Sequence, residues 1–161
     1  MNDDVIPAAA CLSQRRVPFH LFRHPGPLHS LEQAAAERNQ QPNQVVRSIL
    51  FRIHQGEYVL VLIAGPKQIS WKNLRRFMNV SRLTMASEDE VLEATGYPIG
   101  AVSPLGISSQ IRVLVDHSVQ AQEEISIGSG RRGVAIIMKT ADLFQVLGAV
   151  TTGDFGEDSS T

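Results

Sequence analysis

The sequence predicts an α/β fold of the α+β kind, a single domain in which a sheet of mixed strand direction is packed with helices. Three observations lead there. The chain has 161 residues with 43% hydrophobic content, one domain's worth and enough to bury roughly two-thirds of its unfolded surface. β-rich runs and capped amphipathic runs follow one another irregularly, without the strand–helix–strand period of a doubly wound sheet. No internal repeat, low-complexity tract or Pro/Gly/Ser linker divides the chain, so residues 1–150 are expected to form one domain.

The elements follow in chain order. Val5, Ile6, Ala9 and Leu12, ahead of Arg15-Arg16, have the spacing of a first amphipathic helix. Phe19 to Arg23 reads as a short strand, closed by the turn signal His24-Pro25-Gly26-Pro27. Ser30-Leu31-Glu32-Gln33 fits a capping box and opens a helix through about Arg38. Val45 to Ile53 and Tyr58 to Ile63 are β-rich and flank a hairpin turn at His54-Gln55-Gly56-Glu57. Ser70 is placed to cap a helix with Trp71, Leu74, Phe77 and Met78 on one face and Lys72, Arg75 and Arg76 on another. Ser87-Glu88-Asp89-Glu90 is a second capping box, whose helix stops at Gly96. A loop of small residues from Gly96 to Gly106 leads to three further strands, at Ile111 to Val115, Glu124 to Ile127 and Val134 to Met138. Thr140 is expected to cap a last helix over Ala141 to Leu147. The final segment, Thr151 to Thr161, is small and acidic with Phe155 as its sizeable apolar residue, and is expected to be a flexible tail.

Composition excludes collagen-like, coiled-coil and disulfide-scaffold classes, and the chain is too apolar for wholesale disorder. The single cysteine, Cys11, excludes an internal disulfide and fits a reducing compartment. The longest apolar run, Tyr58 to Ala64, falls far short of the ~20 residues of a membrane helix, so a cytoplasmic protein with no membrane partner is expected. The net charge of −1 argues against a simple polybasic nucleic-acid binder. However, Asp3, Asp4, Asp154, Glu157 and Asp158 lie in the expected loose ends, and the remainder holds fifteen basic against eleven acidic residues. Lys67 to Arg82 alone carries five basic residues and no acidic one. The near-neutral total therefore does not exclude a nucleic-acid partner.

Three stretches could carry chemistry, each with an ordinary alternative. In Val45-Val46-Arg47-Ser48-Ile49-Leu50-Phe51, a charge on a buried strand needs an anionic partner or a wet cleft. The alternative is an Arg47 that is solvated or paired with Glu32 or Glu37. Between Gly100 and Gly106, glycines would let backbone N–H groups line an anion or oxyanion site, or the stretch is a plain connection. In Gly128-Ser129-Gly130-Arg131-Arg132-Gly133, glycines beside paired arginines could hold a phosphate, or the stretch is a hairpin turn with exposed arginines. His20 and His24 lack a third ligand, so no metal site is predicted. No nucleophile elbow or Walker loop occurs, and Cys11 reads as a small packing residue.

These stretches, with Gly96-Tyr97, the Gly100-Ala101-Val102-Ser103-Pro104-Leu105-Gly106 loop and Val115-Asp116, occur in an order and spacing that resembles the YbaK/EbsC family. That family is the aminoacyl-tRNA deacylase domain also found inserted in bacterial prolyl-tRNA synthetases, and the likeness runs from about Leu12 to Leu147. The resemblance implies a barrel-like mixed sheet and hydrolysis of wrongly charged aminoacyl-tRNA, without cofactor, metal or protein nucleophile. Its partners would be the 3′ acceptor end of an aminoacyl-tRNA and an aminoacyl-tRNA synthetase, with the protein itself a monomer or homodimer. Carried over by position, Arg47 would contact the terminal phosphate or ribose, and the Gly100, Ala101, Val102 and Ser103 backbone would polarise the carbonyl. Gly128, Ser129, Gly130 and Arg131 would line the opposite wall, while Lys72, Arg75 and Arg76 would meet acceptor-stem phosphates. The chain departs from the family where Arg47 replaces the usual lysine, Gly128 a frequent serine and Ala135 a frequent aspartate. A tRNA-binding or regulatory module of the same fold is the alternative those departures leave open.

Overall fold

Hydrogen-bonded pairing sorts the strands into two sheets. The computed structural model describes residues 6–157; Asp3, Asp4, Val5 and residues 158–161 lie outside them. The elements begin with α1 (Pro7–Gln14), β1 (His20–Arg23) and α2 (Leu31–Glu37). A 3-10 turn at Pro42–Gln44 leads into β2 (Val46–His54), β3 (Glu57–Ala64), α3 (Trp71–Met78), β4 (Thr84–Met85) and α4 (Glu88–Thr95). After the long loop come β5 (Arg112–Asp116), α5 (His117–Gln120), β6 (Glu124–Gly128), β7 (Val134–Lys139), α6 (Thr140–Leu147) and β8 (Thr151–Gly153).

The larger sheet has the order β4-β2-β3-β5-β8, and the smaller one β1-β7-β6. In the larger sheet β2 pairs antiparallel with β3 and β4, while β5 runs parallel to both β3 and β8. The expected single barrel-like sheet is therefore two sheets that do not close. They touch through one parallel bridge, Val45 to Ser126. β3 explains the split. Its even-numbered Leu60 and Leu62 join the apolar layer between the sheets, with Ile125, Ile127, Ile136 and Met138 of the smaller sheet. Its odd-numbered Val59, Val61 and Ile63 face a second layer beneath α3. A strand apolar on both faces is covered on both faces.

Local chemistry fixes the turns and caps. Gly56 sits in the β2–β3 turn at φ +78°, where a Cβ would be strained. The Oγ atoms of Ser30, Ser70 and Ser87 accept from the amides of Gln33, Asn73 and Glu90, as the sequence predicts. Thr140 departs from expectation. It is the first residue of α6 rather than its cap, and its hydroxyl is buried without a partner.

The expected flexible tail is also corrected over residues 151–157. Thr151–Gly153 is strand β8, and Phe155 is fully buried against the Phe77 ring, with centroids 5.0 Å apart. The buried Asp116 carboxylate accepts from the Phe155 amide at 2.7 Å while also capping α5 through Ser118. The Ser70 amide bonds to the Phe155 carbonyl and the Glu157 amide to that of Gln68, both at 2.7 Å. One large apolar side chain flanked by glycines is enough to anchor a segment whose average composition reads as loose. Phe155→Ala should destabilise the protein by about 3–5 kcal/mol, and Glu157→Ala should be near neutral. Urea unfolding of both variants checks this.

Candidate functional site

Beyond the Val45–Ser126 bridge the sheets diverge and leave a cleft of about 330 Å³. One wall is the start of β2, opposite the Gly100–Val102 backbone, with Gly128 and Ala135 of the smaller sheet beside it. Met85 and Leu28, both partly exposed, stand at its rim. Most of the lining is apolar, including Val46, Leu50, Val91, Ile99 and Val134.

The long loop is stiff. Tyr97 is buried and its hydroxyl donates to the Leu105 carbonyl at 2.5 Å, with burial raising the phenol pKa. Ser103 is fully buried, and its Oγ accepts from the Leu105 amide. The Gly130 amide donates to the Ala101 carbonyl at 2.8 Å. At Gly128 the approach is closest, since a Cβ there would stand 2.1 Å from the Val102 oxygen. This glycine admits the loop itself, not a ligand. Held this way, the loop spends the Ala101 amide on the Pro98 carbonyl at 3.0 Å. The Gly100 and Val102 amides have no acceptor among the described residues, and both residues line the cleft. Two N–H groups beside a small apolar cleft can hold a carbonyl oxygen as it gains negative charge.

The sequence-predicted residues separate into those at the cleft and those elsewhere. Arg47, Gly100, Ala101, Val102, Gly128 and Arg131 line it. Arg47, however, pairs with neither Glu32 nor Glu37. Its Nε donates to the Gly65 carbonyl at 3.0 Å and its Nη2 to that of Lys67, so the guanidinium ties down the turn after β3. Ser103 and Ser129 turn inward. Ser129 Oγ bonds to the Val134 and Arg131 carbonyls at 2.7 and 3.1 Å, closing the β6–β7 turn. Gly130 lies against the Tyr97 ring, where a Cβ would come within 2.7 Å. Lys72, Arg75 and Arg76 are on α3, away from the cleft lining, and the outermost two are exposed.

Sequence reasoning missed His24, Arg38 and Ser48, which also line the cleft. His24 ends the β1 turn with its side chain fully buried, Nδ1 2.6 Å from Glu37 Oε1. Its Nε2 accepts from Arg38 Nε at 3.0 Å, so in this arrangement the ring proton sits on Nδ1. Arg38 Nη1 donates to Ser126 Oγ at 2.8 Å, and burial lowers the Arg38 pKa to about 10. Ser48 Oγ is buried without a partner. A His-Pro turn and an arginine at a helix end gave no pattern linking residues fourteen apart. Among the described residues no three His, Cys, Asp or Glu side chains gather as a metal would require, and no helix is long and apolar enough to cross a membrane.

The fold and cleft thus define a small α+β domain with a largely apolar cleft between its two sheets. The description "aminoacyl-tRNA editing domain" matches residues 25–146, and the chain belongs to that family. It is 29% identical over 120 residues to a proline--tRNA ligase of Kosmotoga olearia, which covers 74% of this chain and 20% of the ligase. A proline--tRNA ligase of Pseudothermotoga lettingae is also 29% identical, over 144 residues, covering 89% of this chain and 23% of the ligase. The chain thus spans about a fifth of the length of these curated relatives. A crystal structure of a protein provisionally described as a trans-editing enzyme for prolyl tRNA synthetase superposes with a TM-score of 0.82 at 21% identity. It covers 96% of this chain and 100% of that one. The hypothetical protein APE2540 gives 0.81 at 23% identity, covering 92% and 98%. Both structures share the fold.

Two outcomes follow from this geometry. Gly128→Ala should force the loop away from β6 and destabilise the protein by about 1–3 kcal/mol, read by thermal unfolding. The Glu37 carboxyl is held below its ordinary value of 4.5, first by the His24 hydrogen bond and then by Gln33. A depressed carboxyl stabilises the fold above its unfolded pKa and loses that contribution as pH falls through the folded value. Stability should therefore drop on acidification below 4.5, and Glu37→Gln should flatten that drop in a melting-temperature series against pH.

Proposed function

We propose that this chain is a trans-editing deacylase, hydrolysing the ester bond of mischarged aminoacyl-tRNA in the cytoplasm. The substrate is a tRNA, tRNA-Pro foremost, bearing a small amino acid such as alanine, cysteine or serine. The observation that carries the reading is that Gly100 and Val102, whose amides have no acceptor among the described residues, both line an apolar cleft in a chain of the editing-domain family. The ester carbonyl oxygen would accept from them as it becomes an oxyanion. Water adds to the carbonyl carbon, the bond to the ribose oxygen breaks, and the water's proton passes to that oxygen through the neighbouring ribose hydroxyl. This route asks nothing of a protein base. His24, the imidazole at the cleft, already uses both ring nitrogens. Ser48 Oγ, buried and unpartnered, can bond to the substrate or to the attacking water. Arg47 supports the pocket through the turn it ties, and Lys72, Arg75 and Arg76 offer charges to acceptor-stem phosphates. Association with prolyl-tRNA synthetase belongs to the same proposal.

Arg47 also favours a second reading, a tRNA-binding module without hydrolysis, since carbonyls already take up its guanidinium. A deacylation panel of mischarged tRNAs separates the two. The enzyme reading expects release of at least one small amino acid, with Arg47→Ala lowering kcat/KM by about tenfold and Arg47→Lys recovering part of that loss. Folded protein that turns over none of the panel, yet binds tRNA saturably and in a salt-dependent way, would establish the module instead.

A further inference from the structure

We infer that Arg38 is an anion-binding residue of the cleft, donating to a phosphate or carboxylate oxygen of the ligand rather than to the reacting carbonyl. In an aminoacyl-tRNA that group is either the phosphate nearest the acylated end or the side-chain carboxylate of an acidic aminoacyl residue. The inference deepens the editing reading and rests on it for the identity of the ligand.

Three arginines line the cleft, Arg38, Arg47 and Arg131. Arg47 is committed to the Gly65 and Lys67 carbonyls. Arg38 is held differently. Its Nε and Nη1 bond to His24 Nε2 and Ser126 Oγ, which together fix the plane of the guanidinium. Its Nη2 has no partner among the described residues, and no carboxylate bonds to the group directly. The supports are themselves fixed. His24 is locked by Glu37 at 2.6 Å, and Ser126 is fully buried at the bridge between the sheets. This guanidinium, desolvated by burial and carrying neutral supports at Nε and Nη1 in an arginine that lines the apolar cleft, feels Glu37 only through space and lacks a directly bonded anion. A ligand oxyanion would supply it, and the surrounding Leu28, Val46 and Ile99 would strengthen the contact by excluding water. Glu37 and His24 act as positioning residues here.

The test uses the full chain and four non-hydrolysable probes, the 3′-alanylamino and 3′-aspartylamino derivatives of 3′-deoxyadenosine, each with and without a 5′-phosphate. Calorimetric titration should give the wild type a preference of about tenfold for an anionic probe over its neutral counterpart. A preference that follows the 5′-phosphate identifies the RNA backbone as the source, and one that follows the aspartyl group identifies the amino acid. Arg38→Gln should erase the preference between each anionic probe and its neutral counterpart, while Arg38→Lys should retain part of it. If Arg38→Gln does not fold, Arg38→Lys serves alone, since an amine cannot span His24, Ser126 and the ligand, and the preference must fall. Indifference of the wild type to both charges, or a preference untouched by these substitutions, overturns the inference. Turnover of mischarged tRNA without an Arg38-dependent preference strikes this inference alone. A preference without turnover strikes the editing reading and leaves Arg38 in place.

Discussion

The seam between the sheets governs what this molecule can be. Val45 and Ser126 form a single parallel bridge, and the Val45 carbonyl also accepts from the Gly65 amide at 2.8 Å. The Gln44 side chain reaches the Glu124 carbonyl beside it. On one side of this seam the strands are close enough to share a packed apolar layer, and on the other they part and leave the cleft. A closed barrel would have satisfied every strand edge and left a side-chain-filled interior. Failure to close leaves a pocket whose walls are largely backbone and aliphatic carbon.

Such a pocket distributes its polar groups sparingly. The loop's own hydrogen bonds, from Tyr97 to Leu105 and from Gly130 to Ala101, leave the Gly100 and Val102 amides without an acceptor among the described residues. The arginines divide into structural and available ones by what their nitrogen atoms already touch. Arg47 is fixed by carbonyls on a turn, whereas Arg38 is fixed by a histidine and a serine. Charge at a given sequence position therefore says less about chemistry here than the direction in which a planar guanidinium is held.

Much of the fold was legible in the sequence because its signals are local. Three serine caps, the Gly56 hairpin and the stop at Gly96 each depend on residues within a few positions of one another, and all stand as expected. The family likeness drew attention to the Gly100–Val102 wall for the same reason, a compact run of residues with a recognisable shape. What escaped was non-local. The split into two sheets is invisible in β3, whose faces are equally apolar. The His24–Arg38–Ser126 chain joins residues brought together only when β1, α2 and β6 pack. The last strand was missed because segment composition averages away Phe155, which alone supplies the anchoring burial. The Ser103 and Ser129 hydroxyls bond within their own loops, and a hydroxyl in a glycine-rich loop gives no sign in the sequence of whether it faces a pocket or closes a turn.

The contact between Gly128 and Val102 reaches beyond stability. With the Val102 oxygen standing where any Cβ would go, the residue at 128 and the path of the facing loop form one inherited unit. A serine at that position requires the facing loop to take a different path. Divergence of the pocket is therefore channelled. Single substitutions can reshape the aliphatic wall around Val46, Leu50 and Val91 one at a time, whereas the backbone wall changes only by paired steps. Among descendants of such a domain, ligand preference would drift readily along the first wall while the second persisted as a historical mark of ancestry.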